Sequence, residues 1–225
     1  MSRLRRAARR HDEGVTLPEL IVTMMLLAIV TTLVMTFVIA MSRTFTRDRE
    51  QSDSANVGSV GMNEVSRVIR SATELRTTAG GSTAEPAIIE AGPNTLTLYS
   101  YIDSGTATVK PMKVQFLIDG QRRLVEKRWV ATNTSSPWSF GSTASSTRTV
   151  ARSIPTTAGA LFTYLDKNSV VLPFSSGLLS ATNRQNVAAV DVRLTVQSDL
   201  TQRADPVELR STVGIPNLGK TRVRP

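Results

Sequence analysis

Glu19 is the residue whose surroundings most need a chemical explanation. It follows Gly14, Val15, Thr16, Leu17 and Pro18, and it opens an uncharged, mostly apolar run covering residues 20–42. At about 1.5 Å per residue, those 23 positions make a helix of about 35 Å, long enough to cross a bilayer core of about 30 Å. A carboxylate costs about 2.5–3.5 kcal/mol at mid-membrane and less near the end of a span, so one retained here calls for a cationic partner. Cutting the chain after Gly14 would make one. The new amine on Val15 would lie four residues from Glu19, on the same helical face, at a helix N-terminus that favours negative charge. Pro18 fits the same cut, because a proline in the first turn lacks only an N–H that has no intrahelical partner there.

The residues ahead of this segment set its direction. Arg3, Arg5, Arg6, Arg9 and Arg10 precede Asp12 and Glu13, and the arginines hold this end in the cytoplasm. The rest of the chain then faces outward. A secretory signal peptide carries its small-residue cleavage site after the apolar region, whereas here the small residue at the charge boundary, Gly14, comes before it. A cut at Gly14 therefore keeps the anchor. The competing readings are an ordinary signal anchor with a chance glutamate and an interfacial carboxylate that snorkels to water.

Gly14, Val15, Thr16, Leu17, Glu19, Leu20 and the apolar run resemble the class III signal of type IV pilins and type II secretion pseudopilins, usually written G-F-T-L-x-E-L. Val15 stands where phenylalanine is more frequent, and Pro18 occupies a tolerant position. The resemblance implies a prepilin peptidase that cuts after Gly14 and methylates the new N-terminus on Val15. It also implies that Glu19 pairs with the N-terminal amine of a neighbouring subunit during filament assembly.

Composition argues for an exported, non-catalytic product. The chain has no cysteine, and its one histidine, His11, lies in the segment that would be removed. Triads, most zinc sites and the commonest general base are thereby excluded from the mature form. Asp103, Asp119, Asp166, Asp191, Asp199 and Asp205 are scattered, without calcium-loop spacing, and read as turns or strand ends. No phosphate-cradling glycine motif appears, and Gly80-Gly81 reads as a loop. No enzyme activity, cofactor or metal is expected. Net charge is +9 for the whole chain and +6 without residues 1–14. Arg122, Arg123, Lys127 and Arg128, with the tail residues Lys220, Arg222 and Arg224, would attract DNA or an anionic envelope polymer if they formed a face. A solvated strand face is the preferred explanation for them, and nucleic acid is not the expected partner.

Helix is expected to continue beyond the anchor. Val57, Gly61, Val65, Val68, Ala72 and Leu75 recur at intervals of three and four, an amphipathic stripe, while Gly58 and Gly61 read as places where the helix loosens. Strands follow. Residues 94–102 alternate, residues 113–118 and 123–130 flank Asp119-Gly120 as a type I′ hairpin, residues 160–166 form another strand, and the runs beginning at Val190 and Val207 pair as a terminal hairpin. Residues 132–149 hold eleven Ser/Thr in eighteen positions and read as an exposed loop or flexible insertion, with Trp138 and Phe140 as an aromatic pin to the head or as a recognition knob.

The expected fold is therefore α+β and pilin-like, a long N-terminal helix packed on an antiparallel β-sheet head. Its expected parts are a cytoplasmic leader over 1–14, a transmembrane helix over 15–42, an amphipathic continuation over 43–77 and an extracytoplasmic head over 78–225. Within the family, the stretch from Asn63 to Ala72, the segment from Leu161 to Asp166 and the Val190 strand are similar to J-type minor pseudopilins and PilW-type minor pilins. That likeness implies a subunit of the cytoplasmic (inner) membrane that primes or caps a filament, with other pilins or pseudopilins and the prepilin peptidase as partners. A surface binding module delivered by that filament, and a lone anchored membrane protein, are the other functions considered.

Overall fold

The computed structural model describes residues 14–77, 84–102, 109–198 and 204–218. They form one long helix, α1 (Leu17–Arg70), eight strands and a short helix. The chain divides into two compact units, one ending at Thr46 and the other beginning at Arg47. In the first unit every described residue is exposed, and α1 is long and apolar enough by length and composition to cross a membrane.

The second unit is the β-rich head. Strands β1 (Ile88–Ala91), β2 (Thr95–Ser100), β3 (Met112–Ile118), β4 (Leu124–Val130) and β5 (Ser146–Ala151) make an antiparallel meander in chain order. A second antiparallel sheet holds β6 (Phe162–Leu165), β7 (Ala189–Val196) and β8 (Val207–Gly214), with α2 (Ala181–Gln185) between β6 and β7. Ser180 caps α2 by accepting from the Asn183 amide at 3.2 Å. The α+β class and the terminal hairpin are as the alternation predicted, with Val190 opposite Val213 and Val192 opposite Ser211.

The helical stripe meets both sheets. Val65, Val68 and Ile69 are fully buried in one core with Leu96, Leu98, Val114, Phe116, Leu124, Phe162, Val192 and Leu194. Each such side chain contributes about 1.5–3 kcal/mol of transfer free energy when taken from water. Tyr164 ties the sheets together, its fully buried hydroxyl lying 3.0 Å from the Gly92 carbonyl and 3.1 Å from that of Thr95.

Four details differ from the sequence reading. Helix α1 ends at Arg70 and not at 77; Ala72 and Leu75 still bury, but as extended chain bridged to Ser100 and Glu85. Gly58 and Gly61 do not loosen the helix, which runs unbroken through them. They allow close approach: a Cβ on Gly58 would lie 2.4 Å from Leu209 Cδ1, and one on Gly61 3.0 Å from Leu194 Cδ2 and 3.2 Å from Ala151 Cβ. The β3–β4 turn is not type I′. Asp119 accepts from the Arg122 amide through its carbonyl, and Arg122 takes the left-handed conformation at φ 57°, giving a three-residue loop in place of two. Finally, residues 146–149 belong to β5, because threonine and serine suit an exposed strand as well as a loop.

Candidate functional site

At the N-terminal segment, the local geometry follows from the residue types. Gly14 is exposed with nothing within 4 Å of where a Cβ would sit, and Val15 is 66 % exposed. Such a peptide is open to a protease. Helix α1 starts at Leu17, and the Leu20 amide donates to the Thr16 carbonyl at 3.1 Å. Pro18 precedes that first bonded amide, so its missing N–H leaves no helical bond unmade. Glu19 occupies the first turn, where the helix dipole favours a negative charge. It is exposed and forms no ion pair among the described residues. Residues 1–13, which carry the arginines and His11, lie outside the described part.

Beyond Glu19 the run offers no other charge until Arg43. The hydroxyls of Thr31, Thr32 and Thr36 donate to the carbonyls of Leu27, Ala28 and Leu33 at 2.7–2.8 Å, which hides their polarity within the helix. The result is a lone carboxylate on an otherwise apolar cylinder. Among the described residues no cluster that could hold a metal ion surrounds it.

The head's candidate basic patch does not form a face. Arg122 donates to the carbonyls of Ile154 and Pro155, and Arg123 pairs with Asp119 at 2.7 Å. Arg128 turns toward α1, where it binds Glu64 and Glu126. Lys127 points to the side of β4 opposite Arg128, since alternate strand residues face opposite ways. The tail cations Lys220, Arg222 and Arg224 lie outside the described residues, as do Asp103, Asp199 and Gly80-Gly81.

The remaining acids have structural work. Asp119 accepts from the Gln121 and Arg123 amides, and Asp166 from those of Asn168 and Val170, so both hold turns. Asp205 pairs with Arg47. Asp191 is not at a turn. It is buried in mid-β7, where burial pushes its carboxyl up but hydrogen bonds from Arg210 and Thr212 more than offset this and hold it below the ordinary range. The aromatic pair fixes its loop: the Trp138 amide donates to the Arg76 carbonyl at 2.8 Å, and Phe140 stacks on Tyr99 with centroids 5.4 Å apart.

Sequence reasoning missed the ionic cluster of Glu64, Arg67, Glu126, Arg128 and Arg148 between α1 and the five-stranded sheet. The signal was present in β4, where Glu126 and Arg128 share the face of Leu124 and Val130.

Residues 9–35 match the prokaryotic N-terminal methylation motif. The match takes in Gly14, Val15, Glu19 and the first part of α1, and it supports a pilin-like protein. No curated protein matches the chain.

Proposed function

We propose that this chain is the precursor of a minor pilin or pseudopilin, cut between Gly14 and Val15, methylated on Val15 and assembled through Glu19. The observation that carries the proposal is Glu19, without an ion pair among the described residues, in the first turn of an exposed apolar helix and within the methylation motif. Cleavage supplies the amine that this carboxylate lacks. In lipid the attraction between the two charges is weakly screened, so an amine from an adjacent subunit would hold Glu19 strongly.

In this reading residues 1–14 are the leader, the apolar part of α1 anchors the subunit in the cytoplasmic membrane, and the head packs outside it. Partners are the prepilin peptidase and other pilins or pseudopilins, and the role is priming or capping a filament, as in J-type or PilW-type subunits. Mass spectrometry of the native N-terminus tests the proposal. A chain beginning at N-methyl-Val15 is expected, and a native protein that keeps Arg3 to Glu13 would overturn it.

A further inference from the structure

Three of the four sheet edges in the head are met by another part of the chain. The Ala91 carbonyl of β1 accepts from the Leu179 amide at 2.8 Å, and the Tyr164 carbonyl of β6 accepts from the Leu172 amide at 2.9 Å. At the C-terminal end of β5, α1 lies so close that a Cβ on Gly61 would be 3.6 Å from the Val150 carbonyl, while residues 146–149 stay exposed. The fourth edge, β8, is different.

Strand β8 pairs with β7 over eight residues without a register shift. The Ile215 amide donates to the Ala188 carbonyl, which fixes the alternation of the ladder. Val207, Leu209, Ser211 and Val213 direct their main-chain groups to β7, leaving the N–H and C=O groups of Glu208, Arg210, Thr212 and Gly214 aimed outward. Among the described residues nothing bonds to them. The strand interior has no proline, lysine or bulge, and its charged residues are Glu208 and Arg210. Arg210 and Glu208 are pulled back across the sheet to Asp191 at 2.9 Å and Arg193 at 3.5 Å.

Beside this edge runs a groove of about 670 Å³, walled by Met62, Asn63, Ser66, Arg67 and Arg70 of α1 and by Ser211 of β8. A strand added about 4.8 Å beyond β8 would lie over it, with alternate side chains directed toward the helix. Arg67 pairs with Glu64, while Arg70 forms no ion pair among the described residues. Arg70 therefore gives the wall an exposed positive charge. That disfavours the chain's own C-terminal residues, since Lys220, Arg222 and Arg224 carry the same sign.

We propose that β8 is a docking edge for an extended, carboxylate-bearing segment of another protein subunit, which adds as a ninth strand and places an acidic side chain against Arg70. Main-chain bonds give the affinity and the acidic side chain gives the selectivity. The proposal stands apart from the processing of Gly14 and the role of Glu19.

The test uses the full-length chain in detergent micelles and a fluorescein-labelled nine-residue peptide of alternating valine and glutamate, with a lysine-for-glutamate version beside it. The acidic peptide should bind at least tenfold more tightly than the basic one, and it should slow amide exchange at Glu208, Arg210, Thr212 and Gly214. Glu208→Pro removes one outward donor and should weaken binding at least tenfold, and Arg70→Glu should erase the preference for the acidic peptide. If Glu208→Pro fails to fold, amide exchange on the unaltered chain and Arg70→Glu still decide. Equal binding of both peptides, protection confined to other strands, or protection that appears without peptide and grows with protein concentration would overturn the proposal, the last by showing that a second copy covers the edge.

Discussion

Glu64 on α1 and Glu126 on β4 are held by the same two arginines. Arg128 lies 2.8 Å from Glu64 and 2.7 Å from Glu126, and Arg148 on β5 also pairs with both. Glu126 is fully buried, and Glu64 is 16 % exposed. The cluster thereby fixes how the helix sits on the five-stranded sheet, in angle as well as in depth, which the apolar contacts around Val65 do not do alone.

Removing Arg128 should be costly for that reason. Arg128→Ala leaves a buried carboxylate with one remaining partner and should destabilise the head by about 3 kcal/mol, the scale for breaking a buried ion pair. Urea unfolding of the chain in detergent measures it. An unchanged midpoint would show that Arg148 suffices.

Acid should weaken the same cluster. Burial pushes the Glu64 carboxyl up, but the hydrogen bond from Arg67 and the charges of Arg148, Arg67 and Arg128 outweigh it and hold the group below its ordinary value of 4.5. A carboxyl that titrates lower in the fold than in the unfolded chain contributes fully above that ordinary value, and loses its contribution as pH falls through the folded one. Stability should therefore drop as pH falls below about 4.5, and Glu64→Gln should flatten the drop. Equal slopes for the two proteins between pH 5 and 3 would refute the assignment.

The two close-packed glycines should respond differently. At Gly61 a methyl group meets Leu194, which is fully buried, and the Cβ of Ala151 on a strand, so neither neighbour can move aside. Gly61→Ala should cost about 1–3 kcal/mol through overpacking, more than the ~1 kcal/mol that alanine gains in a helix. At Gly58 the neighbour is the tip of half-buried Leu209, which can rotate away. Gly58→Ala should be near neutral, and thermal unfolding of the pair separates the two cases.

The core stripe gives the largest expected loss. Val65→Asp puts an unpaired charge among fully buried residues and should cost several kcal/mol, of order 3–5, abolishing the cooperative transition if the head is only marginally stable. Retention of the parent melting midpoint would place Val65 outside the core.

Glu19→Val separates insertion from assembly. Removing a carboxylate from an apolar helix should leave membrane insertion intact or improved, while most incorporation into a filament is lost. Cross-linking to partner subunits in membranes reads this out, and unaltered yields of cross-linked complex would remove Glu19 from assembly.

Much of this was legible because it rests on local patterns. The apolar run, Glu19 and the valine stripe announce themselves through spacing, and Val190 through Val196 alternate apolar with polar residues as a strand does, although Asp191 and Thr195 on the polar side are buried as well. What was hidden depends on partners distant in sequence. Gly61 reads as a helix weakness until Ala151 and Leu194 are seen beside it, and nothing near Glu126 in the sequence shows that Arg128 and Arg148 link it to Glu64 on α1. Asp119-Gly120 misled for a different reason. The pair is compatible with more than one turn, and here the register of Ile118 with Leu124 adds a residue to the loop and moves the left-handed position to Arg122.

The chain order of the core has a consequence for how the protein is made. Val65, Val68 and Ile69 leave the ribosome before any strand exists, and the sheet they share with β8 closes only when residues 207–214 have followed. The five-stranded meander forms from neighbouring hairpins and needs little waiting, but the second sheet joins β6 to β7 across more than twenty residues and ends almost at the last described position. During that interval a strongly apolar helical face has no covering from its own chain. A newly made molecule therefore exposes apolar surface that favours aggregation until β8 is in place.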